Sequence, residues 1–379
     1  MDKIRGANLG NWLVLEKWMS PFIFDGTDAE DETWLNRDLT KDELSKRLKE
    51  HRDTYVTLQD FKFLKEKGIN TVRIPIPYFI FGDYEPYDGC IEYLDKAFDW
   101  AESTDIKILI DLHTTPSNHN GYDNGGLVGV CKFHTQPDEV EFVLSVLERL
   151  SMRYGHRNGL FGIEVLNEPI SFLVYMSAPT TGKARNRKEA MGSGYVPVSF
   201  LKKFYTQAYG RMRKYLPEDK AIVFHDGFRL GAWKRFFTES EMKNVYLDTH
   251  MYIWALEMFF PIHKLWVYRF YLGLERLRIK CVQKYVPVIV GEWTIANHWS
   301  CDMHNRFINN TTFAKAKKRR YRKVAKLELN AFRPAAGWFY WSYQLYKDHD
   351  CPMDGSWKDG WDLYRCLKNG WMPKTFAKH

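Results

Sequence analysis

Two short apolar runs in this chain each end in a glutamate. The first is Phe161–Pro169, which closes with Asn-Glu-Pro around Glu168, and the second is Val286–Trp293, which closes with Gly-Glu-Trp around Glu292. Short runs rich in β-branched residues are typical of buried parallel strands. Two facing carboxylates can cleave a glycosidic bond, because one protonates the leaving oxygen while the other attacks the sugar as an anion. Either glutamate alone could be a solvated loop residue; the pair favours this chemistry.

Strands that could position such carboxylates recur along the whole chain. They are predicted at Lys3–Leu9, Ile69–Ile74, Lys107–Leu112, from Phe161 towards Glu168, Ala221–His225, Val245–Thr249, Val286–Glu292 and Ala336–Trp341. Helical spacing separates them at Thr57–Lys67, Ile91–Ser103, Pro137–Tyr154, Val198–Tyr215, Leu265–Lys284 and Lys315–Ala331. The segments Gly10–Pro21 and Ile170–Pro197 are predicted to be long loops, the second an insertion over the site.

This alternation predicts an α/β fold, a single (β/α)8 TIM barrel with extended βα loops, and one catalytic domain spanning residues 1–379. An open, doubly wound sheet would also alternate. It would usually carry a glycine-rich phosphate loop after its first strand, and Gly10-Asn-Trp-Leu13 lacks that pattern.

Polar or aromatic side chains fall at the predicted carboxyl ends of six strands, which a barrel brings to one face. They are Arg73, His113, Glu168, His250, Glu292 and Trp341. The candidate residues are carboxylates, amides, an arginine and aromatics, and the histidines show no paired ligand spacing. We therefore expect no metal and no cofactor.

Composition limits the partners. Much of the net charge of +8 lies in Lys315–Lys326, which predicts a solvated helix face, and no nucleic-acid motif accompanies it. Six cysteines are widely spread, and no stretch reaches 18 uninterrupted apolar residues, so no transmembrane segment is predicted. The N-terminal residues show no signal peptide, so we expect a cytoplasmic protein, or a secreted one if a signal has been removed.

The chain resembles glycoside hydrolase family 5 and, within it, the exo-β-1,3-glucanases. The stretches that carry the resemblance run from Arg5-Gly-Ala-Asn-Leu-Gly-Asn-Trp-Leu-Val-Leu-Glu16 through Thr71–Pro75, Asp111–His113, Asn120-Gly-Tyr-Asp-Asn124, Leu166–Pro169, His250–Tyr252 and Gly291–Trp293 to Gly337–Trp341. The resemblance implies a retaining β-glycoside hydrolase of polysaccharide catabolism that releases terminal glucose from a β-glucoside or β-glucan oligosaccharide.

The resemblance also implies a role for each site residue. It makes Glu168 the acid/base and Glu292 the nucleophile. Arg73 and Tyr252 would keep Glu292 ionised, and Glu168, less directly paired, would hold its proton to higher pH. The remaining sugar-binding residues would be Glu16, His113, Tyr122, Asn124, Asn167, His250 and Trp341, with Trp341 as the platform under the first sugar.

Glu16 would bind hydroxyls at the non-reducing end and form a charged wall that restricts cleavage to terminal glucose. Alternatively, it only caps or pairs locally, and the insertion Ile170–Pro197 closes the pocket. The resemblance fails at the pocket mouth, where the exo-glucanases carry two phenylalanines. Tyr122 and Ala255 occupy those positions, although Trp254 and Phe259 are close by, so the resemblance does not extend to the leaving-group site.

Three alternative functions remain at this point. A β-glucosidase for lipid or aryl glucosides is suggested by the aromatic segment Trp254–Tyr271, which could equally be a barrel helix packing on strands; it also suggests contact with a lipid surface. An endo-β-glucanase would need an open cleft, which Glu16 would obstruct. A carbohydrate-binding barrel without activity would not need both carboxylates.

Overall fold

In the computed structural model, which describes residues 3–177, 180–301, 310–349, 351 and 357–377, eight parallel strands form a closed barrel. Each strand pairs with the next, and the last pairs with the first. The strands are β1 Ile4–Asn8, β2 Thr71–Ile76, β3 Lys107–Leu112, β4 Leu160–Glu164, β5 Ala221–His225, β6 Val245–His250, β7 Val288–Trp293 and β8 Gly337–Tyr340. The predicted (β/α)8 barrel is confirmed; the single-domain assignment stays a prediction.

Helices follow the strands in the order expected for this barrel. The α-helices of the described residues are α1 Glu32–Asp38, α2 Lys41–Tyr55, α3 Leu58–Glu66, α4 Ile91–Thr104, α5 Pro137–Tyr154, α6 Phe172–Ser177, α7 Arg187–Ala190, α8 Val198–Met212, α9 Lys234–Glu239, α10 Ile253–Phe259, α11 Leu265–Val282, α12 His298–Cys301, α13 Asn310–Ala331 and α14 Leu363–Lys368. Short 3-10 helices lie at Pro21–Phe24, Asp123–Gly125, Phe133–Thr135, Thr181–Lys183, Leu230–Trp233 and Lys358–Trp361.

Two differences from the sequence prediction affect the site. Strand β2 begins at Thr71 and ends at Ile76, two residues later than predicted at both ends, so Arg73 lies within the strand and not at its end. Strand β4 ends at Glu164, so Glu168 stands on the loop beyond it, in a left-handed conformation with φ of 43°. A non-glycine residue in this region is strained and persists only where its surroundings hold it.

The interior of the barrel changes from apolar to polar along its axis. Its lower layer is a cluster of buried apolar side chains from seven strands: Ile4, Leu109, Phe161, Ala221, Val223, Tyr246, Ile289 and Phe339. Side chains alternate between the two faces of a strand. Asp111 and His113 therefore continue the inner face after Leu109, and Asp248 does so after Tyr246. The carboxyl ends of the strands thus deliver polar groups to one open end of the barrel.

None of the helices in the described ranges is both long and apolar enough to cross a bilayer.

The long connections after β1, β3 and β4 cover the open end of the barrel. Thr180 and Lys183 from the third of these line the same cavity of about 350 Å³ as Trp18 and Tyr122 from the first two.

Candidate active site

Arg73 is the centre of the buried polar network inside the barrel. Its side chain is fully buried, and Nη1 lies 3.0 Å from Glu292 Oε1 while Nε donates to Glu164 at 2.7 Å. Nη2 lies 3.1 Å from Asp111 and donates to Asn167 Oδ1 at 2.8 Å. Burial would lower the pKa of Arg73, but the surrounding carboxylates outweigh it and raise that pKa well above its usual value. The guanidinium is therefore a permanent cation under the site.

Glu292 is held by three partners. Besides Arg73, the Tyr252 hydroxyl donates to Oε2 at 2.6 Å, and Nδ1 of His250 lies 3.3 Å from the same oxygen. The pairing of β7 with β8 is irregular at this point, and such irregularities re-aim side chains near active sites. Gly291 has no side chain to clash with the Asp248 carboxylate, which accepts from its N–H at 2.6 Å.

Glu168 faces Glu292 across His250. Nδ1 of His250 lies 2.7 Å from Glu168 Oε1, and Asn124 donates to Oε2 at 3.1 Å. Because Glu168 Oε1 and Glu292 Oε2 both lie against one nitrogen, they can be no further apart than the two distances together, about 6 Å. The sequence prediction that these two carboxylates meet is therefore matched by the geometry.

The expected order of acidity is wrong. Burial raises the pKa of Glu168, but the hydrogen bond and charge of His250 outweigh it, so the pKa of Glu168 lies below its usual value. Burial is also the largest effect on Glu292, and it raises the pKa despite the opposing charges of His250 and Arg73. His250 itself would lose its proton on burial, but Glu292 and Asp248 raise its pKa well above normal. Both directions favour the proton on His250, whose Nδ1 is one hydrogen bond from Glu168.

His113, Asn167 and Trp341 form the floor next to these carboxylates. Nε2 of His113 lies 3.4 Å from the Asn167 amide nitrogen, and its Nδ1 lies 2.5 Å from Asp111. The rings of His113 and Trp341 are nearly parallel with centroids 5.6 Å apart. Trp341 is buried, and its role as the platform under the first sugar stays a prediction.

Glu16 lies near enough to the two catalytic candidates for their charges to act on it. Burial, followed by the charge of Asp123, raises the pKa of Glu16 well above its usual value, and Glu168 and Glu292 add to this. One oxygen accepts a hydrogen bond from Trp18 Nε1 at 2.8 Å. Glu16, predicted to form a charged wall, is thus a buried acid that ionises less readily than a free glutamate. The local pairing predicted as the alternative is present as the hydrogen bond from Trp18.

Sequence reasoning missed several residues that hold the site together. Asp111, Glu164 and Asp248 are fully buried, and Asn8 accepts from Arg73 at 3.0 Å. Burial raises the pKa of Glu164 well above normal, while Arg73 opposes this effect. The sequence signal that could have identified these acidic residues is a single charged residue inside an otherwise apolar strand.

The mouth of the pocket differs from the expected phenylalanine pair. Trp254 stacks on His298 with centroids 4.2 Å apart and lies 5.8 Å from Trp357, which in turn stacks on Trp18 at 5.9 Å. Tyr122 is half-buried beside Trp18. Trp254, Trp357 and Trp18 therefore form a continuous row of indoles.

Known proteins give an independent comparison. Residues 40–193 match the family model described as cellulase, glycosyl hydrolase family 5. The chain is 33% identical to the probable glucan 1,3-beta-glucosidase A of Emericella nidulans over 99% of its length and 91% of that protein. It is 30% identical to the glucan 1,3-beta-glucosidase of Schwanniomyces occidentalis, over 99% and 88% of the two chains.

Among solved structures, the rutinosidase from Aspergillus niger superposes with a TM-score of 0.74, covering 98% of both chains at 19% identity. The endoglucanase Cel5A from Thermotoga maritima superposes with a TM-score of 0.54, covering 97% and 96% at 15% identity. These two likenesses bear on the fold alone. The sequence relatives and the family model, together with the closed barrel, show that this chain is a glycoside hydrolase belonging to family 5.

Proposed function

We propose that this glycoside hydrolase is a retaining, exo-acting glucan 1,3-β-glucosidase, with Glu292 as nucleophile and Glu168 as acid/base. The observation that carries the mechanism is the separation of at most about 6 Å between an oxygen of each carboxylate. Inverting enzymes keep the two groups roughly 6.5–9.5 Å apart to admit a water between them. The names of the sequence relatives support the β-1,3-glucan substrate.

In the first step Glu292 Oε attacks the anomeric carbon, and the bond from that carbon to the leaving oxygen breaks. Arg73 and Tyr252 orient the attacking carboxylate through contacts at 3.0 and 2.6 Å. The leaving oxygen takes a proton from Glu168. The proton source for Glu168 is His250, whose Nδ1 is one hydrogen bond away. The products are a glycosyl ester on Glu292 and the free aglycone.

In the second step Glu168, now a carboxylate, takes a proton from water while the water oxygen attacks the anomeric carbon. The ester to Glu292 breaks, and β-glucose leaves with the configuration of the substrate. Asn167 lies beside His113 and Arg73, where its amide can bond the sugar 2-hydroxyl as charge develops. No metal or cofactor enters this scheme; that none is needed, and that the protein is cytoplasmic, stay predictions.

Retention is the direct test of the mechanism. Hydrolysis of an aryl β-glucoside, followed by ¹H NMR from the first minutes, should show the β-anomer of glucose appearing before mutarotation produces the α-anomer. The short carboxylate separation is the reason. A first product with the α configuration would contradict the mechanism, and an inverting enzyme of known outcome serves as the control for the timing.

The exo mode rests on Glu16. At a pH where Glu16 is ionised, we expect Glu16→Ala to lower kcat/KM on an aryl β-glucoside by about 10²-fold or more, since hydrogen bonds to a charged acceptor contribute about 1.5–3 kcal/mol each. Glu16→Gln, which can still accept from Trp18, should lose less. The ratio of wild type to Glu16→Gln should grow with pH, because Glu16 becomes the stronger, charged acceptor only as it ionises. Thermal melts of both variants distinguish catalysis from folding: near-wild-type rates with an unchanged melt would refute the role.

A second candidate shares this chemistry but differs in the leaving group. A β-glucosidase for lipid or aryl glucosides is favoured by the indole row at the pocket mouth, Trp18, Trp357 and Trp254, which offers flat apolar surfaces. A substrate panel of laminari-oligosaccharides, aryl glucosides and a glucosylated lipid separates the two. Glucose released singly from laminari-oligosaccharides with the highest kcat/KM supports the first proposal; short oligosaccharide products would indicate endo action.

A further inference from the structure

The outer face of helix α11 carries a stripe of apolar side chains. Trp266, Phe270, Leu274 and Leu277 follow one another at intervals of three or four residues, which places them on one face of the helix. Trp266 and Phe270 are 66% and 67% exposed, the largest exposures of an aromatic ring on this helix. A stripe of this kind normally faces a protein core. Within the described ranges it faces outward.

The stripe continues into the segment before α11. Met258, Phe259, Phe260 and Ile262 are all exposed, at the end of α10 and in the turn that follows it. The eight side chains from Met258 to Leu277 form what we term the apolar patch. Isolated exposed apolar residues are ordinary, but a contiguous patch on a protein surface marks an interaction site.

The patch is anchored to the barrel mouth. Glu257 on α10 is buried, accepts a hydrogen bond from the Tyr268 hydroxyl on α11, and lies 2.7 Å from Nδ1 of His298, the first residue of α12 after β7. Helices of this fold begin at the carboxyl ends of the strands, so α11 starts at the same end of the barrel as the catalytic carboxylates. The apolar patch therefore begins at the rim of the active site and runs down the side of the barrel.

A cationic groove borders the patch. A cavity of about 970 Å³ beside α11 and α13 is lined by seven basic residues: Lys3, Arg269, Arg322, Lys323, Lys326, Arg333 and Lys374. No Asp or Glu is among the described residues that line it. Leu265 and Arg269 line this cavity and lie four residues apart on α11, alongside Trp266 and Phe270 of the patch, so the groove borders the apolar patch.

The charge of this face selects its partner. The one acidic residue of α11, Glu275, is buried and paired with Arg278 at 2.7 Å, so the outward face of the helix is apolar and basic. A symmetric pair of copies that met through this face would place two cationic grooves in one interface, and like charges repel. An anionic surface with an apolar interior fits both halves of the feature.

We propose that the apolar patch and the cationic groove dock this enzyme onto the surface of an anionic phospholipid bilayer. Lysine and arginine side chains near the surface attract the phosphate and carboxylate groups of the lipid headgroups. Trp266, Phe270 and the apolar residues of the 258–262 turn enter the boundary between headgroups and acyl chains, where aromatic rings are favoured. Binding is peripheral and leaves the mouth of the active site beside the membrane.

Sedimentation of the full chain with vesicles tests this. Phosphatidylcholine vesicles with about 30 mol% phosphatidylserine should bind the protein at about 0.1 M salt, and pure phosphatidylcholine vesicles should bind it far less. The double variant Trp266→Ser/Phe270→Ser should weaken binding about tenfold or more. Arg269→Glu/Lys326→Glu should weaken it about a hundredfold or more and abolish the preference for anionic lipid.

The matched control is Met152→Ser/Met191→Ser, which removes two apolar side chains that are 54% and 72% exposed away from this face. It should bind as the wild type does, and all variants should hydrolyse a soluble aryl glucoside at the wild-type rate. Equal binding to both kinds of vesicle would overturn the proposal. Salt-sensitive binding that survives the loss of Trp266 and Phe270 would also overturn it, because it would indicate a polyanion site. A wild-type dimer in ultracentrifugation that the same double variant converts to monomer would overturn it as well.

Discussion

Replacing Glu292 by glutamine should lower kcat/KM by about 10⁴-fold or more on every β-glucoside, which corresponds to about 5.4 kcal/mol of transition-state stabilisation. An amide cannot form the glycosyl ester, so the first step has no nucleophile, whatever the leaving group. The glutamine should keep one contact of the native side chain, because the Tyr252 hydroxyl can still donate to the amide oxygen. The measurement is kcat/KM on an aryl glucoside and on a laminari-oligosaccharide.

The stability of this variant should be unchanged or higher at pH 7. Burial raises the folded-state pKa of Glu292, so ionisation of this carboxyl lowers the free energy of unfolding as pH rises through that pKa. A glutamine cannot ionise and avoids this loss of stability. Glu328→Gln on α13 is the matched control, because burial raises the pKa of that glutamate too, and it lies in a helix outside the site. Glu328→Gln should hydrolyse both substrates at the wild-type rate. A Glu292→Gln protein that retains activity, or that melts well below wild type, contradicts the assignment.

The barrel was predictable because its strands are marked locally. Strands β3 and β5 have the predicted bounds, since each is a buried apolar run between turn signals. Helix α2 was missed although Leu44, Leu48 and Tyr55 are buried at helical spacing, because the charged residues around them leave the segment with few apolar side chains. The start of the helix also carries a local signal, because the Thr40 side chain accepts a hydrogen bond from the Glu43 N–H.

The candidate site was predictable in its members and not in its electrostatics. Every predicted side chain lies at the open end of the barrel or in the loops that cover it, because strand ends converge there. The order of the two pKa values was wrong because it depends on where the His250 imidazole points. Its Nδ1 lies 2.7 Å from Glu168, and His250 stands where the register of β6 against β7 shifts. No spacing in the sequence reports it.

Glu168→Gln should separate substrates by their leaving groups. On an unactivated glucoside we expect a loss of about 10²–10⁴-fold in kcat/KM, the usual contribution of general acid catalysis. A dinitrophenyl glucoside needs little protonation, so its first step should fall by less than about tenfold, and the glycosyl enzyme should accumulate because its breakdown lacks a base. Pre-steady-state kinetics would show this as a rapid burst of dinitrophenol release followed by slow turnover. Equal losses of the first step on both substrates would mean that the two roles are exchanged.

The pH profile of the same variant tests the proton assignment. In the wild type, kcat/KM should fall at low pH as Glu292 gains a proton, at a pH above the usual glutamate range because burial raises its pKa. It should fall at high pH as the Glu168–His250 pair loses its shared proton. With the activated substrate, Glu168→Gln should keep the acid limb, since the nucleophile is unchanged, and lose most of the alkaline limb, since no acid is needed. An alkaline limb that persists unchanged would show that His250 supports the nucleophile directly, through its contact of 3.3 Å with Glu292, and not the acid.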